Sequence, residues 1–90
     1  MPISQSAFTV GTALVEIVSP DIQPVRAVIH NLEKTDGRLI YIGNADLVAG
    51  ESVELSPNVF LQITVDPGDS IYARTETGSW QLGVMIQKQD

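Results

Sequence analysis

His30 is the one histidine in a chain of 90 residues that has no cysteine. An imidazole can ligate a metal or move a proton, but both tasks need partners at defined spacing. The surrounding "VRAVIHN" supplies none, so His30 reads as a structural or surface histidine. Asp66 and Asp69 bracket a Pro-Gly pair in "VDPGDS". Two carboxylates there could hold a cation weakly, yet the dense oxygen spacing of a calcium loop is missing, and Asp is a common turn former. None of the serines (Ser4, Ser6, Ser19, Ser52, Ser56, Ser70, Ser79) sits in a G-x-S-x-G elbow. Gly11, Gly37 and Gly43 are isolated and make no phosphate-binding loop. Trp80, Tyr41 and Tyr72 could stack on a sugar, although Trp80 reads better as a core anchor. No catalytic residue, metal site or cofactor is expected.

The elements that would carry these residues are short and β-rich. "SAFTV", "ALVEIV", "VRAVIHN", "RLIYIG", "ESVEL", "VFLQITV", "SIYART" and "WQLGVMIQ" follow one another, the first seven each followed by a stretch that carries Gly, Pro, Asp or Asn. Strand-length runs with a turn signal about every ten residues point to a sandwich or barrel. No window sustains a helical stripe, because Gly or Pro interrupts each candidate. The expected fold is all-β: a single antiparallel β-sandwich or jelly-roll-like barrel of about seven or eight short strands. Residues 1–9 form an N-terminal arm or a first edge strand, and residues 10–90 the sandwich. Asp36-Gly37 offers the positive-φ pair of a hairpin turn, here at the end of a longer loop, "LEKTDG". Pro67-Gly68 suits the centre of a type II turn. Gly43-Asn44 and Ala49-Gly50 are read as corners.

Period-2 alternation assigns faces. Ile29, Ile40, Ile42, Leu61, Ile63, Ile71, Leu82, Val84 and Ile86 are expected in the core. The opposite positions are not cleanly polar: Val28, Leu39, Tyr41, Phe60, Tyr72 and Met85 fall there. The chain is 43% hydrophobic but only 18% charged, with a net charge of −6. So few charges on a small domain leave apolar surface that a partner is expected to cover. The acidic balance and five scattered basic residues disfavour nucleic acid. No run reaches the ~18 apolar residues of a membrane span. The opening "MPISQSAF" lacks a basic flank and a long apolar run, so no secretory leader is expected there. It carries Ile3 and Phe8, and is expected to fray or to order on a neighbour.

The stretch from Val25 to Ile86 resembles small virion proteins of tailed bacteriophages. The resemblance rests on Arg26 leading a strand that ends Ile29-His30-Asn31, then Tyr41-Ile42-Gly43, Gly50-Glu51-Ser52 and Pro67-Gly68-Asp69-Ser70-Ile71-Tyr72-Ala73. The chain departs from that pattern by inserting "SPNVFLQITV". The resemblance implies a non-enzymatic capsid decoration or cement protein on the outer face of the shell. Head-fibre and neck or tail adaptor roles remain open within the same family. A carbohydrate- or receptor-binding module is the alternative outside it. The partners expected are the major capsid protein and the chain itself. A homotrimer is favoured, because shells offer threefold sites and three contacts reinforce one another. The location implied is the virion capsid surface, and the host cytoplasm before assembly. The residues expected at the protein interface are Ile3, Phe8, Val28, Leu39, Tyr41, Phe60, Tyr72 and Met85.

Overall fold

Among the described residues eight strands form, one for each β-rich run: β1 (Ile3–Val10), β2 (Val15–Val18), β3 (Val25–Asn31), β4 (Ile40–Gly43), β5 (Val53–Leu55), β6 (Phe60–Val65), β7 (Ile71–Arg74) and β8 (Trp80–Lys88). The structure, a computed structural model, describes residues 3–46 and 53–88. The expected corner at Ala49-Gly50 lies outside the described residues. Two four-stranded sheets result, in the orders β1-β8-β3-β6 (sheet A) and β2-β7-β4-β5 (sheet B). Every pairing is antiparallel. Successive strands mostly alternate between the sheets, which is the winding of an eight-stranded jelly roll.

The core fills the space between the sheets. Val10, Ala27, Ile29, Leu82 and Val84 from sheet A meet Ile17, Val18, Ile40, Ile42, Leu55, Ile71 and Ala73 from sheet B. Leu61 and Ile86 pack against this cluster half-buried. Ile63 departs from expectation and is 37% exposed. It faces inward, but β6 is an edge strand, and Ile63 lines an open rim with Ala45, Asp46 and Val53. In β2 the register slips between Glu16 and Val18. That bulge breaks the alternation, so Ile17 and Val18 are both buried.

One buried polar side chain ties the sheets together. Asn31, at the end of β3, is wholly inaccessible. Its Nδ2 donates to the carbonyls of Leu55 in β5 (3.0 Å) and Arg38 (2.9 Å). Its Oδ1 accepts from the Glu33 N–H at 3.0 Å. A buried amide is tolerated when its donors and acceptors are met in this way.

The turns largely match their chemistry. Gly68 has φ +85° and the Asp69 N–H bonds the Asp66 carbonyl at 3.0 Å, as a type II turn requires. At Asp36-Gly37 only Gly37 takes a positive φ. The expected pair is therefore corrected to a single residue: the loop joins β3 of one sheet to β4 of the other, so no hairpin closes there and the doubly positive type I′ geometry is not needed.

Candidate protein-binding surface

Residues expected on one second face are divided between two. Val28, Phe60 and Met85 lie on the outside of sheet A, whereas Tyr41 and Tyr72 lie on the outside of sheet B. Alternation fixes the side of a strand but not the sheet that the strand joins, so the single face is corrected to two opposite ones.

The outside of sheet B is polar. Glu16, Tyr72, Arg74, Tyr41 and Glu54 stand side by side across it. The Tyr72 hydroxyl donates to Glu16 Oε2 at 3.2 Å. Tyr41 is only 6% exposed, contrary to the expectation of an accessible interface residue. Its cross-strand neighbours Glu54 and Arg74 flank it. Burial, and then the nearby Glu76 and Glu54 carboxylates, raise its phenol above the usual tyrosine range. Trp80 belongs to sheet A and Tyr41 and Tyr72 to sheet B, so the three form no common platform. Trp80 packs half-buried against the core with the Arg38 guanidinium 4.8 Å from its ring centre.

The outside of sheet A differs in kind. None of the eleven Asp and Glu residues lies in β1, β8, β3 or β6. A shallow apolar depression crosses the strands there, lined by Ala7, Val28, His30, Leu32, Phe60, Gly83 and Met85. Its floor is low because Ala7 and Gly83 are direct cross-strand partners. Leu32 folds over Gly83, within 3.5 Å of where a β-carbon would stand. On one wall His30 and Phe60, also cross-strand partners, stack with ring centres 4.0 Å apart and planes 11° from parallel. His30 Nε2 lies 3.1 Å from Asn58 Oδ1, which holds the ring flat against the phenyl. Phe60 is 66% exposed, Met85 42% and Leu32 40%. Three large apolar side chains are thus exposed together in one carboxylate-free patch, the kind of surface that interfaces are made from.

The remaining expected interface residues scatter. Phe8 points inward and packs on the core. Leu39 is half-buried just before β4. Ile3 lies in β1, with its side chain outside the described residues. His30, Leu32, Ala7 and Gly83 were not among the expected interface residues. His30 was legible, since it shares the outward parity of Val28. Leu32 was not, because it follows the strand and reaches back over Gly83.

Asp66 and Asp69 sit in their turn as hydrogen-bonded turn residues, and among the described residues no three His, Cys, Asp or Glu side chains gather to hold a metal.

No family model matches the chain, and no curated protein does. Among solved structures, the chain is similar to one from Bacillus endospore appendages, described as forming a novel family of disulfide-linked pili. That similarity has a TM-score of 0.62 at 9% sequence identity and covers 99% of this chain and 87% of that one. At this identity the likeness is one of fold: a solved chain of similar size shares the two-sheet arrangement.

Proposed function

We propose that the protein is a non-enzymatic assembly subunit, and that it acts as a decoration protein on the shell of a tailed bacteriophage. The observation that carries the assembly reading is the apolar, carboxylate-free outside of sheet A in an otherwise acidic chain. The virion setting comes from the resemblance between Val25 and Ile86, and the partner it implies is the major capsid protein. A shell-binding subunit must stay soluble before assembly and adhere through one surface afterwards. A net charge of −6 serves the first need. The Leu32, Phe60 and Met85 patch serves the second.

A second reading, a subunit of a surface appendage, is favoured by the structural likeness to the spore-appendage chain. The pili of that protein are described as disulfide-linked. With no cysteine, this chain would have to associate without such links.

Quantifying this chain against the major shell protein in purified particles tests the decoration role. Many copies per particle are expected, with strong loss of the chain from particles carrying Phe60→Glu or Met85→Glu. Both side chains are well exposed, so the variants should keep the wild-type circular dichroism. Absence from particles, or a few copies at one vertex, would overturn the decoration role. Full occupancy by both variants would overturn the assigned surface.

A further inference from the structure

The edge of sheet A opposite β6 is formed by β1 and is distinct from the apolar face. Antiparallel strands alternate the direction of their backbone groups, so one hydrogen bond fixes the phase of a whole sheet. The Leu32 N–H donates to the Gln81 carbonyl, and the Asn31 N–H to the Val59 carbonyl. Even-numbered residues of β3 therefore bond to β8, and odd-numbered residues to β6. Carried across β8, this phase sends the backbone groups of Leu82, Val84 and Ile86 towards β1. Their partners there are Phe8, Ser6 and Ser4. The N–H and C=O groups of Gln5, Ala7 and Thr9 then point outward along an edge that no other described strand covers.

Natural edge strands are blunted by charge, proline or bulges. β1 has none of these. "ISQSAFTV" contains no charged residue, no Pro and no Gly, and it pairs with β8 through eight residues without a register break. The first carboxylate in the chain is Glu16, which belongs to the other sheet. β6, the other edge of sheet A, is shorter and runs straight into Asp66.

We infer that β1 pairs antiparallel with β1 of a second copy about a two-fold axis near Ala7, joining two A sheets into one continuous sheet, in place of the homotrimer that the shell's threefold sites suggested. The occupant is a second copy because the edge is self-complementary. A two-fold axis perpendicular to the sheet makes the strands antiparallel automatically. The free backbone groups on both sides then belong to residues of the same face, Gln5 meeting Thr9 of the partner copy and Ala7 meeting its equivalent. A carboxylate-free seam also lets two acidic molecules approach where their like charge is absent. A β1-to-β6 junction would instead be head-to-tail, and would propagate into a ring or an open chain. The apolar depression borders β1 through Ala7, so the seam would place two such depressions side by side.

The inference is independent of the virion setting, and purified protein alone tests it. Light scattering over a concentration series should give twice the chain mass. Ala7→Pro should halve it with an unchanged circular dichroism spectrum, since the Ala7 N–H serves no bond among the described residues and proline is tolerated at an open edge. If that variant misfolds, Ala7→Lys, which keeps the backbone, decides instead. Gln62→Lys, on the β6 edge, should leave the dimer intact. Because the chain has no cysteine, Ala7→Cys gives a clean report. Directly opposed residues in a bonded antiparallel pair lie about 5.5 Å apart at Cα, within disulfide reach. Mild oxidation should therefore trap Ala7→Cys as a covalent pair. A monomer at the highest concentration, a trimer, or a dimer that survives charge at position 7 would overturn the inference. So would a dimer equally sensitive at position 62, or failure of Ala7→Cys to cross-link.

Discussion

Two glycines show how the same residue type does opposite work. Gly78 has φ +74°, and a β-carbon there would come within 2.7 Å of the Trp80 indole. The turn before β8 therefore depends on its lacking a side chain, both for backbone and for space. Gly83, inside β8, has no positive φ, and a β-carbon would only touch Leu32 at 3.5 Å, an ordinary contact. Its cost is the extra freedom of the unfolded chain. Gly78→Ala should destabilise by about 1–3 kcal/mol. Gly83→Ala should stabilise by about 0.4–1 kcal/mol, because the native conformation suits alanine. In a domain of this size each kcal/mol moves Tm by about 4–8 °C, so thermal unfolding of the two variants resolves both signs. Equal effects of the two substitutions would contradict the packing described around Trp80.

At the scale of elements, the strands were legible and their partnership was not. The run Val25–Asn31 is β3 to the residue, because Pro24 starts it and alternation is strict within it. The run from Ala13 begins as β2 only at Val15, and its bulge hides a second buried residue. Tyr41 and Val28 have the same outward parity in their own strands, yet β4 and β3 belong to different sheets. Nothing local to either strand encodes that assignment; it is set by which long-range pairings bury the most apolar surface. The apolar depression was half legible for the same reason. Phe60, Met85 and Val28 were recognised as outward and apolar, but the low floor at Ala7 and Gly83 exists only through β1–β8 pairing.

The loop between β3 and β4 is fastened to β8 by a carboxylate. Glu33 Oε1 meets the Arg38 guanidinium at 2.6 Å, and Oε2 accepts the Gln81 N–H at 2.9 Å. The Gln81 N–H, and next the Arg38 side chain, hold the Glu33 carboxyl below the usual glutamate range, outweighing its partial desolvation. A carboxyl depressed in the folded state adds stability that is complete above its unfolded pKa. That stability is lost as pH falls through the ordinary glutamate range towards the folded value. Glu33→Gln should therefore lower Tm at neutral pH, and its deficit against wild type should shrink on acidification below that range. A deficit constant with pH would mean that the charge of Glu33 contributes nothing at this corner.

Across the whole molecule, charge is unevenly distributed over the two sheets. Among the described residues the carboxylates lie in the turns and in sheet B, while the four strands of sheet A carry only Arg26 and Lys88 as full charges. Lys88 is already paired with Asp21 at 3.0 Å. Two copies joined at β1 would still repel at long range, since each has a net charge of −6. Treated as points ~30 Å apart in water, they oppose association by about 5 kcal/mol without screening. A Debye length of ~10 Å at 0.1 M salt removes most of that opposition. The seam itself, made of backbone hydrogen bonds and uncharged side chains, offers salt nothing to weaken. Association of purified protein should therefore tighten as salt rises from low to physiological strength, on the order of tenfold or more. An interface held by ion pairs would respond the other way, as would one joining acidic sheet B to Arg26 of sheet A. Sedimentation equilibrium at two salt concentrations gives the sign, and weakening by salt would rule out a carboxylate-free seam at β1.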